Sequence, residues 1–148
     1  MRRKWIIVAD RAGARLFRFD DRERALEQLR DIDHDDGRLR NREIDADRQG
    51  IANQSQGTGQ GAMAREHDAT EQLAVRFAGE LAELLREGRV ENAYDELVLV
   101  APPAFLGALR EALDGPTRDR VVASLDKDLA QVPEHELRAR LSDVLFQH

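Results

Sequence analysis

The chain contains no cysteine. Disulfides and thiolate metal sites are excluded, so the fold must rest on an apolar core. That absence suits a reducing compartment. Long apolar runs are also missing. The first, Trp5 to Ala9, ends at Asp10 and Arg11, whereas a spanning helix needs about 20 apolar residues. The basic start Met1-Arg2-Arg3-Lys4 precedes a stretch too short for a signal-peptide core. No membrane partner is expected, and the expected location is the cytoplasm. Serine is scarce, and none of Ser55, Ser124 and Ser142 lies in a Gly-x-Ser-x-Gly elbow. Lysine is reduced to Lys4 and Lys127 while arginines are many, a bias we assign to coding base composition. The net charge is −6, so the overall basic charge of a dedicated nucleic-acid binder is absent too.

What is present suits one domain over residues 1–148: the hydrophobic content is 41%, enough for one core in a chain of ordinary domain size. Trp5-Ile6-Ile7-Val8-Ala9 predicts a strand buried on both faces. After a turn at Asp10 to Gly13, residues Ala14 to Phe19 alternate, with Arg15, Phe17 and Phe19 on one side and Ala14, Leu16 and Arg18 on the other. Leu26 to Ile32 predicts a third strand. Leu26 and Ile32 are at even spacing, with Leu29 out of phase. A long polar connection, expected to be flexible, fills about 34–65. The segment Gly50 to Gly61 stands out within it, with four glycines, no charge and one strong apolar residue, Ile51.

The clearest helix is expected from Glu66 to Arg86, with Leu73, Phe77, Leu81 and Leu84 on its inner face. Asp68 with Glu71 resembles a capping box, and Gly88 is the expected stop. Glu96 to Ala101 predicts a buried strand. Pro103 opens a helix to Leu113, and Gly115-Pro116 breaks it. Val121 to Leu125 predicts the last strand. Pro133 opens a final helix with Leu137, Leu141, Val144 and Leu145 facing inward. The order β-β-β-α-β-α-β-α predicts an α/β fold: a five-stranded mixed sheet with helices on both faces, three layers in the order of RNase H-like folds.

That order raises a two-metal nuclease reading, in which Asp10 and Asp126 or Asp128 would hold the ions. The fourth strand ends in Val100-Ala101-Pro102-Pro103 and supplies no carboxylate. Asp10 sits in a turn, where aspartate serves local hydrogen bonds. His34, His67, His135 and His148 show no paired-ligand spacing. No metal and no cofactor is expected. The glycines of 57–61 match neither a dinucleotide fingerprint nor a Lys-bearing phosphate loop. Residues 38–65 carry Arg38, Arg40, Arg42, Arg48 and Arg65 against Glu43, Asp45 and Asp47. This region is therefore net basic within an acidic chain.

Several segments together resemble the bacterial family named "host attachment protein", required for attachment to host cells. They are Trp5-Ile6-Ile7-Val8-Ala9-Asp10-Arg11-Ala12 with Ala14-Arg15-Leu16-Phe17, then the glycine-rich loop ending in Met63. Arg76-Phe77-Ala78 with Glu80-Leu81-Ala82, Leu97 to Arg110, and Leu125 to Leu129 follow in order. The resemblance implies a role in surface interaction, direct or indirect. The family in turn resembles the middle domain of archaeal and eukaryotic class-1 peptide release factors. There a Gly-Gly-Gln loop lies between a strand meander and a long helix. Thr58-Gly59-Gln60 stands in the equivalent place, with Thr58 where the first glycine would be. The resemblance implies a ribosome or tRNA partner. It also implies, as the enzymatic alternative, peptidyl-tRNA hydrolysis with Gly59 and Gln60 as catalytic pair. The binding alternative places Arg38, Arg40, Arg42, Arg48, Gly57, Thr58, Gly61 and Arg65 on ribosome or RNA.

Overall fold

The computed structural model describes residues 3–20, 22, 25–33 and 59–145, with backbone alone over 59–70. Three antiparallel strands come first: β1 (Arg3–Asp10), β2 (Gly13–Asp20) and β3 (Ala25–Asp33). A long helix, α1 (Gly59–Val90), leads to β4 (Glu96–Val100), α2 (Pro103–Ala112) and a short α3 (Gly115–Arg118). Then come β5 (Val121–Leu125), α4 (Glu134–Arg140) and α5 (Ser142–Leu145). The sheet order is β3-β2-β1-β4-β5, with β4 and β5 parallel to β1. The expected α/β fold with a five-stranded mixed sheet is the observed one.

β1 lies at the centre, so its apolar run is buried on both sides. Trp5, Ile7 and Ala9 join Ala14 and Leu16 in one core cluster, against Phe77, Leu81 and Leu85 of α1 and Phe105, Leu106 and Leu109 of α2. Ile6 and Val8 join Phe17 and Phe19 in the other, covered by Leu129, Leu137, Leu141 and Leu145. Helices thus cover both faces. Each fully buried Leu or Phe contributes about 1.5–3 kcal/mol, so the three core contacts of α1 anchor it firmly.

The third strand departs from its expected pattern. Leu26 and Ile32 are evenly spaced, which predicts one shared face. The pairing instead steps from Leu16↔Arg30 to Phe17↔Gln28, leaving Leu29 as the extra residue of a bulge. A bulge shifts the alternation by one residue. Ile32 therefore packs on the cluster of Ala14 and Leu16, and Leu26 on that of Phe17 and Phe19. Leu29, out of phase in sequence, is 37% exposed.

The long helix corrects three expectations. It begins at Gly59 rather than Glu66, so residues 59–65 are helical and not part of the polar connection. Asp68 and Glu71 lie inside it, not at its start. Gly88 also lies inside it. A Cβ there would fall 2.5 Å from Trp5 Cζ3 and 2.6 Å from Cη2, so glycine is required for close approach to the indole. The helix ends at Val90, and Asn92 just beyond it takes φ 63°. The Ala93 N–H donates to the Gly88 carbonyl at 2.8 Å, and the Asn92 N–H to that of Arg89 at 3.0 Å. These two bonds are the Schellman pattern, with asparagine in the left-handed position.

The remaining helices start as expected, after Pro102 and Pro133. Asp114 adds a cap not foreseen: its carboxylate accepts from the Thr117 N–H at 2.9 Å and opens α3. The final helix is two short pieces interrupted at Leu141, with Leu137, Leu141 and Leu145 buried.

Candidate functional site

The chemistry sought in the sequence falls on the end of the molecule where β1, β4 and β5 finish. In open α/β sheets, ligands collect at the carboxyl ends of the strands. Asp10 ends β1 there. Its carboxylate accepts from the Ala12 N–H at 2.8 Å and the Gly13 N–H at 3.0 Å, which closes the turn into β2. Asp10 thus has the local hydrogen-bonding role expected of a turn aspartate. Asp126 and Asp128 follow β5 and are exposed. Among the described residues, no three His, Asp or Glu side chains are grouped to hold a metal ion.

Beside this turn lies a small polar cleft of about 140 Å³, lined by Gly13 to Arg15, Asp31 to Asp33, Ala130 and Gln131. It is smaller than the roughly 300–1,000 Å³ of small-molecule pockets. The Arg15 guanidinium donates to the carbonyls of Val132 at 2.5 Å and Ala130 at 3.4 Å. It also stands 5.1 Å from the Phe17 ring centroid. Its charge therefore fastens the segment after β5 onto β2. Gly13 approaches the end of β3 closely: a Cβ there would meet the Ile32 carbonyl oxygen at 2.9 Å.

The sequence-predicted binding residues divide into two groups. Arg38, Arg40, Arg42, Arg48, Gly57 and Thr58 lie outside the described residues. Gly59, Gln60, Gly61 and Arg65 lie on the first turns of α1. That helix has 32 residues, which at 1.5 Å each is roughly 48 Å. β1 has 8 residues, or roughly 27 Å at strand rise. The C-terminal end of α1 is pinned beside Trp5, near the start of β1. The excess of roughly 20 Å must then project past the carboxyl ends of the strands. Phe77 is the first fully buried residue among the described side chains of α1. The Gly59-Gln60 pair thus stands at the far tip of a helical arm.

The shifted ionisations sit at the opposite end. Burial pushes the Tyr94 hydroxyl up to about 12. That hydroxyl donates to the Leu85 carbonyl at 2.6 Å, and its ring lies 4.8 Å from that of Trp5. The Arg3 backbone N–H, donating at 2.8 Å, holds the Asp95 carboxyl below its usual range. Hydrogen bonding from Thr117 does the same for Asp114, helped by Arg89. These groups lock α1, β1 and α3 together. Lys4 was also unforeseen. It is fully buried on the Ile6 and Val8 side of β1, and its ammonium donates to the Leu145 carbonyl at 3.3 Å. There it meets the negative end of the last helix. The sequence signal was weak: a lone lysine on the inward phase of a buried strand.

His135 is exposed on α4 beside an open cleft of about 410 Å³ that includes Glu134 and Arg138. His34 and His148 lie outside the described residues, as does the His67 side chain. Among the described residues, no helix is long and apolar enough to cross a membrane. A comparison with curated proteins finds no match. The model of the family described as "Protein required for attachment to host cells" matches residues 5–141. That match takes in β1 from Trp5 onward, the other four strands and most of the core on both sheet faces, and the chain belongs to this family.

Proposed function

We propose that this protein is a cytoplasmic binding factor for ribosome or RNA, and that its role in attachment to host cells is indirect. The observation that carries the reading is the overhang of α1. Among the described side chains, those of α1 that join the core run from Ala74 onward, and the helix is about 20 Å longer than β1. Such an arm is suited to reaching a partner. It carries Gly59, Gln60, Gly61 and Arg65, and the net basic stretch with Arg38, Arg40, Arg42 and Arg48 precedes it in sequence. Arginine clusters attract phosphate backbones in a salt-dependent way. The RNase H-like, release-factor-like arrangement is part of the same reading. The sheet order β3-β2-β1-β4-β5 and the long helix after the meander support it.

Binding is favoured over peptidyl-tRNA hydrolysis. Gly59 and Gln60 stand in helical backbone, where the freedom that glycine gives a loop is not used. Co-sedimentation with ribosomes from native lysate at low salt tests the proposal. The expected result is co-sedimentation that weakens as salt rises and is lost when Arg38, Arg40 and Arg42 are reversed in charge. A chain that stays in the supernatant at low salt, or reversal without effect, overturns it. Peptide release that is abolished in Gln60→Ala would instead select the hydrolytic role.

A further inference from the structure

The flank of α1 beside β3 is not used by the proposed function. In β3 every residue but Leu26 and Ile32 is exposed, so no helix covers this edge of the sheet. Between β3 and α1 lies an open groove of about 230 Å³. Its base is apolar: half-buried Ile32 and Leu84 line it together with buried Phe77 and Leu81. Its rims are charged. α1 supplies Glu80, Glu83 and Glu87 from one wall, and β3 supplies Arg30 from the other. All four are exposed. Glu83 pairs with Arg86 of its own helix. Glu80, Glu87 and Arg30 form no ion pair among the described residues.

The size and the charges of the groove select its occupant. Its volume of about 230 Å³ is below the roughly 300–1,000 Å³ of small-molecule sites, but it admits an apolar anchor side chain from a partner. Pairing of a partner strand along β3 is opposed by Glu27, Asp31 and Asp33 and by the bulge at Leu29. What remains is the place of a further helix in the layer of α1, lying on the sheet about 8–10 Å from the α1 axis. Glu80, Glu83 and Glu87 follow i, i+3, i+7 spacing, so they line one flank of α1 over two turns, about 10 Å. That flank repels a phosphate backbone, and a helix with Lys or Arg at the same spacing complements it. From the apolar base and this charge complementarity we propose that the groove between α1 and β3 binds an amphipathic helix of a protein partner. The basic flank of that helix lies on Glu80, Glu83 and Glu87, and its apolar anchors lie on Ile32 and Leu84. Recognition of a helix in a groove reads such anchors at i, i+3 or i+4 and i+7. The exposed rim pairs set partner choice more than affinity, so a contact of two turns belongs to the weak, micromolar class.

Fluorescence anisotropy on the full chain tests this, with a labelled amphipathic peptide of about 14 residues built from Leu and Lys as the probe. The same peptide with Glu in place of Lys is the control. The expected result is saturable binding of the Lys peptide below about 100 μM that weakens as salt rises, and no binding of the Glu peptide. Glu80→Lys with Glu87→Lys should weaken binding about tenfold. Leu84→Gln should weaken it about tenfold through the lost anchor contact. Glu111→Lys with Glu134→Lys makes the same change in net charge away from the groove and should leave binding unchanged. Circular-dichroism melts establish that each variant is folded. If Leu84→Gln does not fold, the two double variants decide alone. A wild-type chain that does not bind the Lys peptide overturns the proposal. So do double variants of equal effect, or a folded Leu84→Gln that binds as wild type does. A labelled single-stranded RNA bound more weakly by Leu84→Gln than by wild type would assign the groove to nucleic acid and overturn it too.

Discussion

The two ends of α1 are built to opposite purposes. At its C-terminal end the helix is fixed by contacts of several kinds. Gly88 lies against the Trp5 ring, Tyr94 bonds the Leu85 carbonyl, and Arg89 reaches both Thr117 and Asp114. At its N-terminal end the helix outruns the sheet, carrying Gly59 and Gln60 at the tip. Substitutions at the first end should act on stability, and substitutions at the second on partner binding. One helix can hold both because helical backbone transmits position without needing burial along its whole length.

The sharpest way to break this contrast is Gly88→Ala. The new methyl must displace the Trp5 ring from a close-packed site, and the variant should lose about 1–3 kcal/mol in urea unfolding. Next is Tyr94→Phe, which leaves the Leu85 carbonyl without its buried donor and should cost about 1–2 kcal/mol. The same tyrosine gives a pH signature. Its folded-state value is raised to about 12 from the usual 10.0, so its stabilising contribution is full below pH 10 and is lost as pH rises through that window. A wild-type melting temperature that falls across the window, with a smaller fall in Tyr94→Phe, is the expected outcome. Asp95 and Asp114 act in the other direction. Their lowered values give stability that is present above the usual carboxylate range and lost as pH falls through the folded-state values.

A control comes from the middle of the same helix. A Cβ at Gly79 would meet nothing within 4 Å, so Gly79→Ala should stabilise by about 0.5–1 kcal/mol through helix propensity alone. Opposite signs at Gly79 and Gly88 would establish that packing against Trp5, and not helix propensity, governs the pinned end. The smallest expected effect is that of Gln60→Ala, which should leave stability within about 0.5 kcal/mol of wild type. A large loss there would show that the tip of the arm is part of the folded core, and would remove the division between the two ends.

Local pattern was enough for much of the architecture. The continuous run Trp5 to Ala9 marked a strand buried on both faces, the alternation of Ala14 to Phe19 marked its hairpin partner, and Pro103 and Pro133 marked helix starts. These signals are short-range: each residue reports its own exposure through period and composition. The candidate arm was less legible. Polar, glycine-rich composition reads as loop, whereas Gly59 to Arg65 is helical.

The sequence by itself determined the five strands, the apolar phase of β1 and β2 and the inner face of α1, because all of these are written within a few residues of one another. Only the tertiary structure decided the rest. Whether Leu26 and Ile32 share a face depended on a bulge opposite Leu16 and Phe17. Whether Gly88 ends a helix or admits an indole depended on Trp5, far away in the chain. That β5 lies at an edge depended on the sheet order. In each case the deciding neighbour is distant in sequence, and only packing brings it near.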